Sequence, residues 1–256
     1  MAKEGGHPAG HKNPCRRIAY SESQDLKNWT ESQIILTPDE LDTDDFYGML
    51  PFRYADYYLG QLMIHDDVEA ETLDIELAFS RDGVAWSRLP DRPKFIPTGE
   101  PGDPDGYMVI PAQEPVVVGD DIYLYWAGYG LPHDIGNGTG AAYRGRLRMD
   151  GFVSLSADRR LGALITRPFV LQSDRILINA ATHGGEIVAE LVEPDDHEIR
   201  GRPIEGFTAE DFDVFRGDSV AHKLSWRGKS DLSALRGRRL MLRMSLYHAD
   251  IYSFTL

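Results

Sequence analysis

Ile18-Ala19-Tyr20-Ser21-Glu22-Ser23-Gln24-Asp25-Leu26-Lys27-Asn28-Trp29 and Leu77-Ala78-Phe79-Ser80-Arg81-Asp82-Gly83-Val84-Ala85-Trp86 are two versions of one phrase. In each, a short apolar strand runs into serine, then aspartate, then a turn, and a tryptophan stands four positions after the aspartate. The two aspartates are 57 positions apart, a period that suits one β-propeller blade rather than a helical repeat. An aspartate in a tight turn accepts hydrogen bonds from nearby backbone N–H groups and so pins the turn between two strands. The tryptophan then opens the next strand and fills the space between sheets. Asp25 and Asp82 read accordingly as turn-formers rather than catalysts.

Composition excludes several classes. A chain of 256 residues can bury a sizeable core, and 42% hydrophobic and 27% charged content belong to an ordinary folded protein. A formal charge of −14 repels phosphate backbones and anionic membranes, so neither nucleic acid nor membrane is expected as a partner. The richest basic stretch, Arg236 to Arg243, alternates with Leu240 and Leu242 and reads as one solvated face of a strand. Cys15 stands alone, which excludes an internal disulfide and carries no metal-ligand spacing. The opening ten residues lack the apolar core of a signal peptide, and no apolar run reaches bilayer length, so a cytoplasmic location is the expectation. His7 and His11 lie in a Gly- and Pro-rich stretch, 1–15, read as a mobile tail rather than a metal site.

Strand signals dominate the rest, and helical periodicity is nearly absent. Residues 16–36 read as the last two strands of one blade. A full blade follows over 45–98, through Met49–Tyr54, Tyr57–His65, Leu73–Ser80 and Trp86–Ile96. A third unit covers 107–156, with strands at Met108–Pro111, Glu114–Val118, Ile122–Trp126, Ala142–Met149 and Phe152–Leu155. The expected fold is all-β: about two and a half propeller blades over 16–158, then a β-sandwich over 159–256. In that last segment Gly184-Gly185 gives a hairpin signal, and Leu240, Leu242, Met244 and Leu246 alternate with Met241, Arg243, Ser245 and Tyr247 as in a half-buried strand. Ser230 to Ser233 reads as a helix start and Gly237 as its stop, together one short turn.

Several of these stretches carry a resemblance. Phe46-Tyr47-Gly48-Met49-Leu50-Pro51-Phe52-Arg53-Tyr54, the two Ser-x-Asp turns, Pro115-Val116-Val117-Val118-Gly119-Asp120-Asp121-Ile122-Tyr123-Leu124-Tyr125 and Asp150-Gly151-Phe152-Val153-Ser154-Leu155 resemble the later blades of glycosyl-hydrolase-like five-bladed propellers. That superfamily includes invertases, arabinofuranosidases and xylosidases. Gly217-Asp218-Ser219-Val220, the run Trp226 to Ser233 and the run Ala249 to Phe254 resemble the β-sandwich that follows the propeller in many bacterial proteins of this kind. Such proteins begin with further blades, whereas this sequence enters partway through one at Arg16-Arg17-Ile18. The resemblance thus implies either an N-terminally shortened propeller or an open edge covered by another subunit, so self-association as a homo-oligomer is an expectation.

The resemblance implies glycoside hydrolysis by a carboxylate pair, one protonated and one ionised, on a furanoside or related glycan. Glu114, before Pro115 at the start of an apolar strand, is the candidate acid. Asp44 and Asp45 stand just before a blade's first strand and are the next catalytic candidates. The cluster Asp42-x-Asp44-Asp45 admits two other readings, a solvated loop or an oxygen-ligand cation site such as structural calcium; no other cofactor is implied. Because the base aspartate belongs to a first blade not found here, a non-catalytic carbohydrate-binding or assembly protein is the alternative. Substrate-binding candidates are His65, which ends an apolar strand, His133 in a glycine-rich loop, and the rings of Tyr107 and Trp126. Arg53 joins them, since an arginine in an otherwise apolar strand needs a partner, Asp45 or a ligand carboxylate.

Overall fold

The computed structural model describes residues 16–42, 45–66, 71–112, 114–133, 135, 139–195 and 201–256. The stretch 1–15, with Cys15, and Asp44 lie outside the described residues. The fold is all-β, a partial propeller and a β-sandwich, and the one helical element among the described residues is a 3-10 turn at Ser233–Leu235. Two compact units are present: Met1–Val116 with Tyr123–Arg146, and Val117–Ile122 with Leu147–Leu256.

In the first unit, β1 (Ile18–Tyr20) and β2 (Gln33–Leu36) form an antiparallel hairpin. Next, β3 (Asp45–Tyr54), β4 (Tyr57–Asp66) and β5 (Thr72–Ser80) make an antiparallel meander. Two short strands, β6 (Trp86–Arg88) and β7 (Lys94–Ile96), share the far edge of β5 and complete a four-position blade. The fourth strand is therefore split, not continuous over Trp86–Ile96, because Pro90 and Pro93 offer no N–H to a ladder. After these come β8 (Met108–Pro111), β9 (Val116–Val118), which falls mostly in the second unit, and β10 (Asp121–Tyr129) and β11 (Gly140–Arg148), which lie mostly in the first. β8, β10 and β11 are neighbours in the next meander, which meets the blade through one parallel pair, Leu73 opposite Met108.

The repeated phrase behaves as a turn device. Asp25 Oδ1 accepts the backbone N–H groups of Lys27 at 2.9 Å and Asn28 at 2.8 Å; Asp82 Oδ1 accepts those of Val84 at 2.9 Å and Ala85 at 2.8 Å. These bonds to the charged form hold both carboxyls below the ordinary aspartate value. The tryptophans part ways. Trp86 packs on the cluster of Phe46, Leu62 and Ala78, with its indole N–H on the Gly83 carbonyl at 2.8 Å. Trp29 is 57% exposed, so the expectation that both rings fill space between sheets holds for one of them.

The second unit contains β12 (Leu155–Ala157), β13 (Gly162–Ile165), β14 (Phe169–Val170), β15 (Leu177–Glu193), β16 (Arg202–Pro203), β17 (Asp218–Lys223) and β18 (Arg239–Thr255). Its spine is the antiparallel pair of long strands, β15 and β18; β12, β13 and β14 line the other edge of β18, while β16 and β17 line β15. The expected strand at Phe152–Leu155 of the third blade is replaced by β12, which pairs with β18. Gly184-Gly185 makes no hairpin either. A two-residue hairpin of type I′ needs two positive φ angles, and only Gly184 has one, at 86°. The ladder instead slips between Thr182 and Glu186, a bulge in which a Cβ on Gly185 would stand 1.7 Å from the Tyr247 carbonyl oxygen.

That bulge reverses which parity of residues is buried. Before it Ile178 and Ala180 point inward, and after it Ile187, Ala189 and Leu191; on β18 the inward set changes from Leu240, Leu242, Met244 and Leu246 to Ala249 and Ile251. All of these residues belong to one core cluster, so the sheet bends at the bulge and closes over itself as two layers.

Candidate functional site

Asp45, His65 and His133 come from three places in the sequence, and the structure brings them together with a residue the sequence reading left aside, Tyr47. Asp45 pairs with His65 across the β3–β4 ladder. The ladder then skips a residue between Phe46 and Gly48, so Tyr47 sits on a bulge and its ring turns to both histidines. Its hydroxyl is 2.9 Å from His133 Nε2. The three rings form a triangle, with centroids 5.8 Å (Tyr47–His65), 5.1 Å (Tyr47–His133) and 5.3 Å (His65–His133) apart. Asp45 and His65 are buried; Arg16 donates its backbone N–H to Asp45 Oδ1, brings Nε to 3.6 Å from Oδ2, and lays its guanidinium over Tyr47 at 5.0 Å. A fixed carboxylate and three hydrogen-bonding rings thus converge at one end of the blade. The signal that could have found Tyr47 is the Tyr-Gly pair opening a strand, since a bulge before glycine re-aims a side chain.

The other expected residues stand elsewhere. Glu114 is exposed, just before β9 rather than within a strand. Arg53 is exposed too and lies over the Tyr58 ring at 6.0 Å. It does not pair with Asp45, which holds Arg16 at the opposite end of β3. Trp126 stacks face to face on Tyr143, centroids 5.7 Å apart and planes 6° from parallel. Tyr107 is half-buried, and its backbone ties β5 to β10 through bonds with Leu73 and Tyr129.

A second feature was missed. On the opposite face of β4 and β5 a cleft of about 230 Å³ is lined by Asp66, Asp74, Glu76, Arg92 and Lys94, among others. Lys94 closes on Asp74, which also accepts the Thr98 N–H at 2.9 Å. At its inner end Arg88 clamps Asp42 with bonds of 2.7 and 2.6 Å and reaches Glu76 Oε2 with bonds of 3.1 and 2.5 Å. These side chains are 3%, 2% and 10% exposed, so a buried triad carries two carboxylates on one guanidinium. Asp42 therefore has a guanidinium where the cation reading would put a metal. The signal for the cleft was the alternation Leu73-Asp74-Ile75-Glu76-Leu77, which sends both acids to one face.

Burial raises the Glu76 carboxyl above the ordinary 4.5, against the pull of Arg88. The folded state then holds a proton that the unfolded chain has lost, and its contribution to stability falls as pH rises from 4.5 through the raised value. Glu76→Gln should consequently gain on the parent protein as pH climbs from about 4.5 to 7.5. Urea midpoints across that window measure it, and a pH-independent offset between the two proteins would contradict the assignment.

Among the described residues no group of three or more His, Cys, Asp or Glu side chains is placed to hold a metal ion, and no helix is long and apolar enough to cross a membrane. No protein-family model and no curated protein matches the chain. One similar solved structure is a glycoside hydrolase family 43 arabinoxylan arabinofuranohydrolase from Bacillus subtilis in complex with cellotetraose, with a TM-score of 0.30 and 10% identity. The match covers 90% of this chain and 57% of that one, so the chain spans little more than half the length of that enzyme. A likeness this weak says nothing of chemistry.

Proposed function

We propose that this protein binds carbohydrate at the Tyr47–His65–His133 triangle and does not cleave it with Glu114. The observation that supports the reading is the convergence of Asp45, Tyr47, His65 and His133 at one end of the blade. Sugar hydroxyls need donors and acceptors on a rigid frame, and ring faces suit the C–H faces of a sugar. The net charge of −14 disfavours phosphorylated or acidic glycans, so a neutral glycan is the expected ligand. Hydrolysis through Glu114 and Asp45 needs both carboxyl groups at one enclosed site, and Glu114 is exposed just before β9 while Asp45 is buried at the start of β3.

One observation favours a second reading, hydrolysis inside the cleft. Asp74 and Glu76 lie two residues apart on one face of β5, so two carboxyl groups line the same cleft. Calorimetric titration with neutral furanoside and pyranoside oligosaccharides, beside release of aryl glycosides, separates the two. Binding without release, weakened about tenfold or more in His133→Ala, is expected from the loss of one hydrogen bond and a ring face. Release abolished by Glu76→Gln or Glu114→Gln would replace binding by catalysis, and full affinity in His133→Ala would remove the triangle.

A further inference from the structure

We propose that His183 and His248, side by side where β15 and β18 bulge, form a binding site for a divalent first-row transition metal in the second unit, with Asp250 as the positioning residue. The imidazole centroids are 5.7 Å apart at an interplanar angle of 61°, and the His183 side chain is 52% exposed. Two rings this close, edge toward face and open to water, can offer a nitrogen each to one ion, with water filling the remaining positions.

The local structure prepares them for it. His183 Nε2 stands 2.8 Å from Asp250 Oδ2. With the carboxylate oxygen accepting, Nε2 carries the ring proton and Nδ1 is the nitrogen left to a metal. A carboxylate behind one ring nitrogen, freeing the other for metal, is the usual outer partner of a histidine ligand. His248 is fixed by its backbone: φ is 45°, in the left-handed region, and its N–H donates to the Asp158 carbonyl at 2.9 Å. The bulge that turns the sheet over also brings both rings to one place, because His183 precedes Gly184-Gly185 and His248 follows Tyr247, whose carbonyl crowds Gly185.

Two imidazoles select among metals. Nitrogen donors suit copper, nickel and zinc, in the order Cu²⁺ above Ni²⁺ and Zn²⁺, and offer little to Ca²⁺ or Mg²⁺. An ion held by both rings would clip β15 to β18 across the bend and, by binding the folded chain alone, raise its melting temperature.

The test titrates the metal-free full chain with CuSO4, NiCl2, ZnCl2 and CaCl2 in a non-coordinating buffer at pH 7.5, by calorimetry and thermal melts. His183→Gln, His248→Asn and Asp250→Asn are the variants; asparagine tolerates the left-handed backbone at 248. One tight equivalent of Cu²⁺, weaker Zn²⁺, no Ca²⁺ and a higher melting temperature are expected in the parent. Each histidine variant should lose that equivalent, and Asp250→Asn should weaken it about 10–100-fold. The remaining histidines are the same in all four proteins, so the difference between them is what counts. Undiminished binding in either histidine variant, or Ca²⁺ binding as tight as Cu²⁺, would overturn the site, and unchanged affinity in Asp250→Asn would overturn the positioning role.

Discussion

Arg88→Met should lower the unfolding free energy by about 3–5 kcal/mol at pH 7.5, the cost of leaving buried charge without its partner. Arg88 lies 4.9 Å over the Phe46 ring and donates to both Asp42 and Glu76, all three side chains being nearly closed to water. Methionine fills much of the same volume, so lost packing is a small part of the effect. What remains is two carboxylates facing each other across an apolar gap, with no cation between them. Glu76 is already the group that burial pushes toward its neutral form, and it can relieve the conflict by taking a proton. The penalty should therefore shrink toward pH 5. Replacing all three residues by apolar ones of similar size should recover most of the loss, since a buried triad stabilises little relative to a well-packed apolar cluster. Urea denaturation followed by circular dichroism is the measurement. A loss below about 1 kcal/mol for Arg88→Met alone would mean that the triad is solvated.

The strands of the first unit were legible because each prints its own signal. Tyr54-Ala55-Asp56-Tyr57 breaks the pattern between two alternating runs, and the chain turns there, with Ala55 at a φ of 49°. The Asp-centred turns of the repeated phrase were read from side-chain chemistry that acts within four residues. Failures came where the deciding contact is distant in sequence. Gly184-Gly185 looks like a hairpin locally, but the Tyr247 carbonyl makes it a bulge. The same holds for the site. Asp45, His65 and His133 could be named singly from their local context, yet the residue that joins them, Tyr47, is aimed by a register slip that only the paired strand creates. Arg53 invites an ion pair because it interrupts an apolar run, but β3 is the last strand in its sheet order and its side chain reaches water. Alternation in 73–77 signals a strand, and the same period-two rule puts Asp74 and Glu76 on one face, Glu76 against Arg88 and Asp74 against Lys94.

The second unit makes the opposite demand on its centre, an apolar one, and Trp226→Ala tests it. Trp226 is 1% exposed and receives the edges of Phe207 and Phe212, centroids 5.5 and 5.4 Å away with planes near 70°. Its indole N–H reaches the Ala189 carbonyl at 3.2 Å on β15, just past the bulge. The residue is presented by a two-residue turn: Trp226 and Lys229 exchange backbone hydrogen bonds of 2.8 and 2.9 Å, while Arg227 and Gly228 both take positive φ, 50° and 74°. The turn therefore holds the ring in one place within the buried cluster to which β15 and β18 contribute. Deleting it removes a large apolar group and two ring contacts and leaves a void, so a loss of about 3–5 kcal/mol is expected. Trp226→Phe should cost clearly less, since it keeps a ring against Phe207 and Phe212 and gives up the bond to Ala189. Denaturation of the two variants side by side reads the difference. Equal losses would place the weight on the Ala189 hydrogen bond rather than on packing, and a loss under about 1 kcal/mol in Trp226→Ala would show that the closed sheet does not depend on this ring.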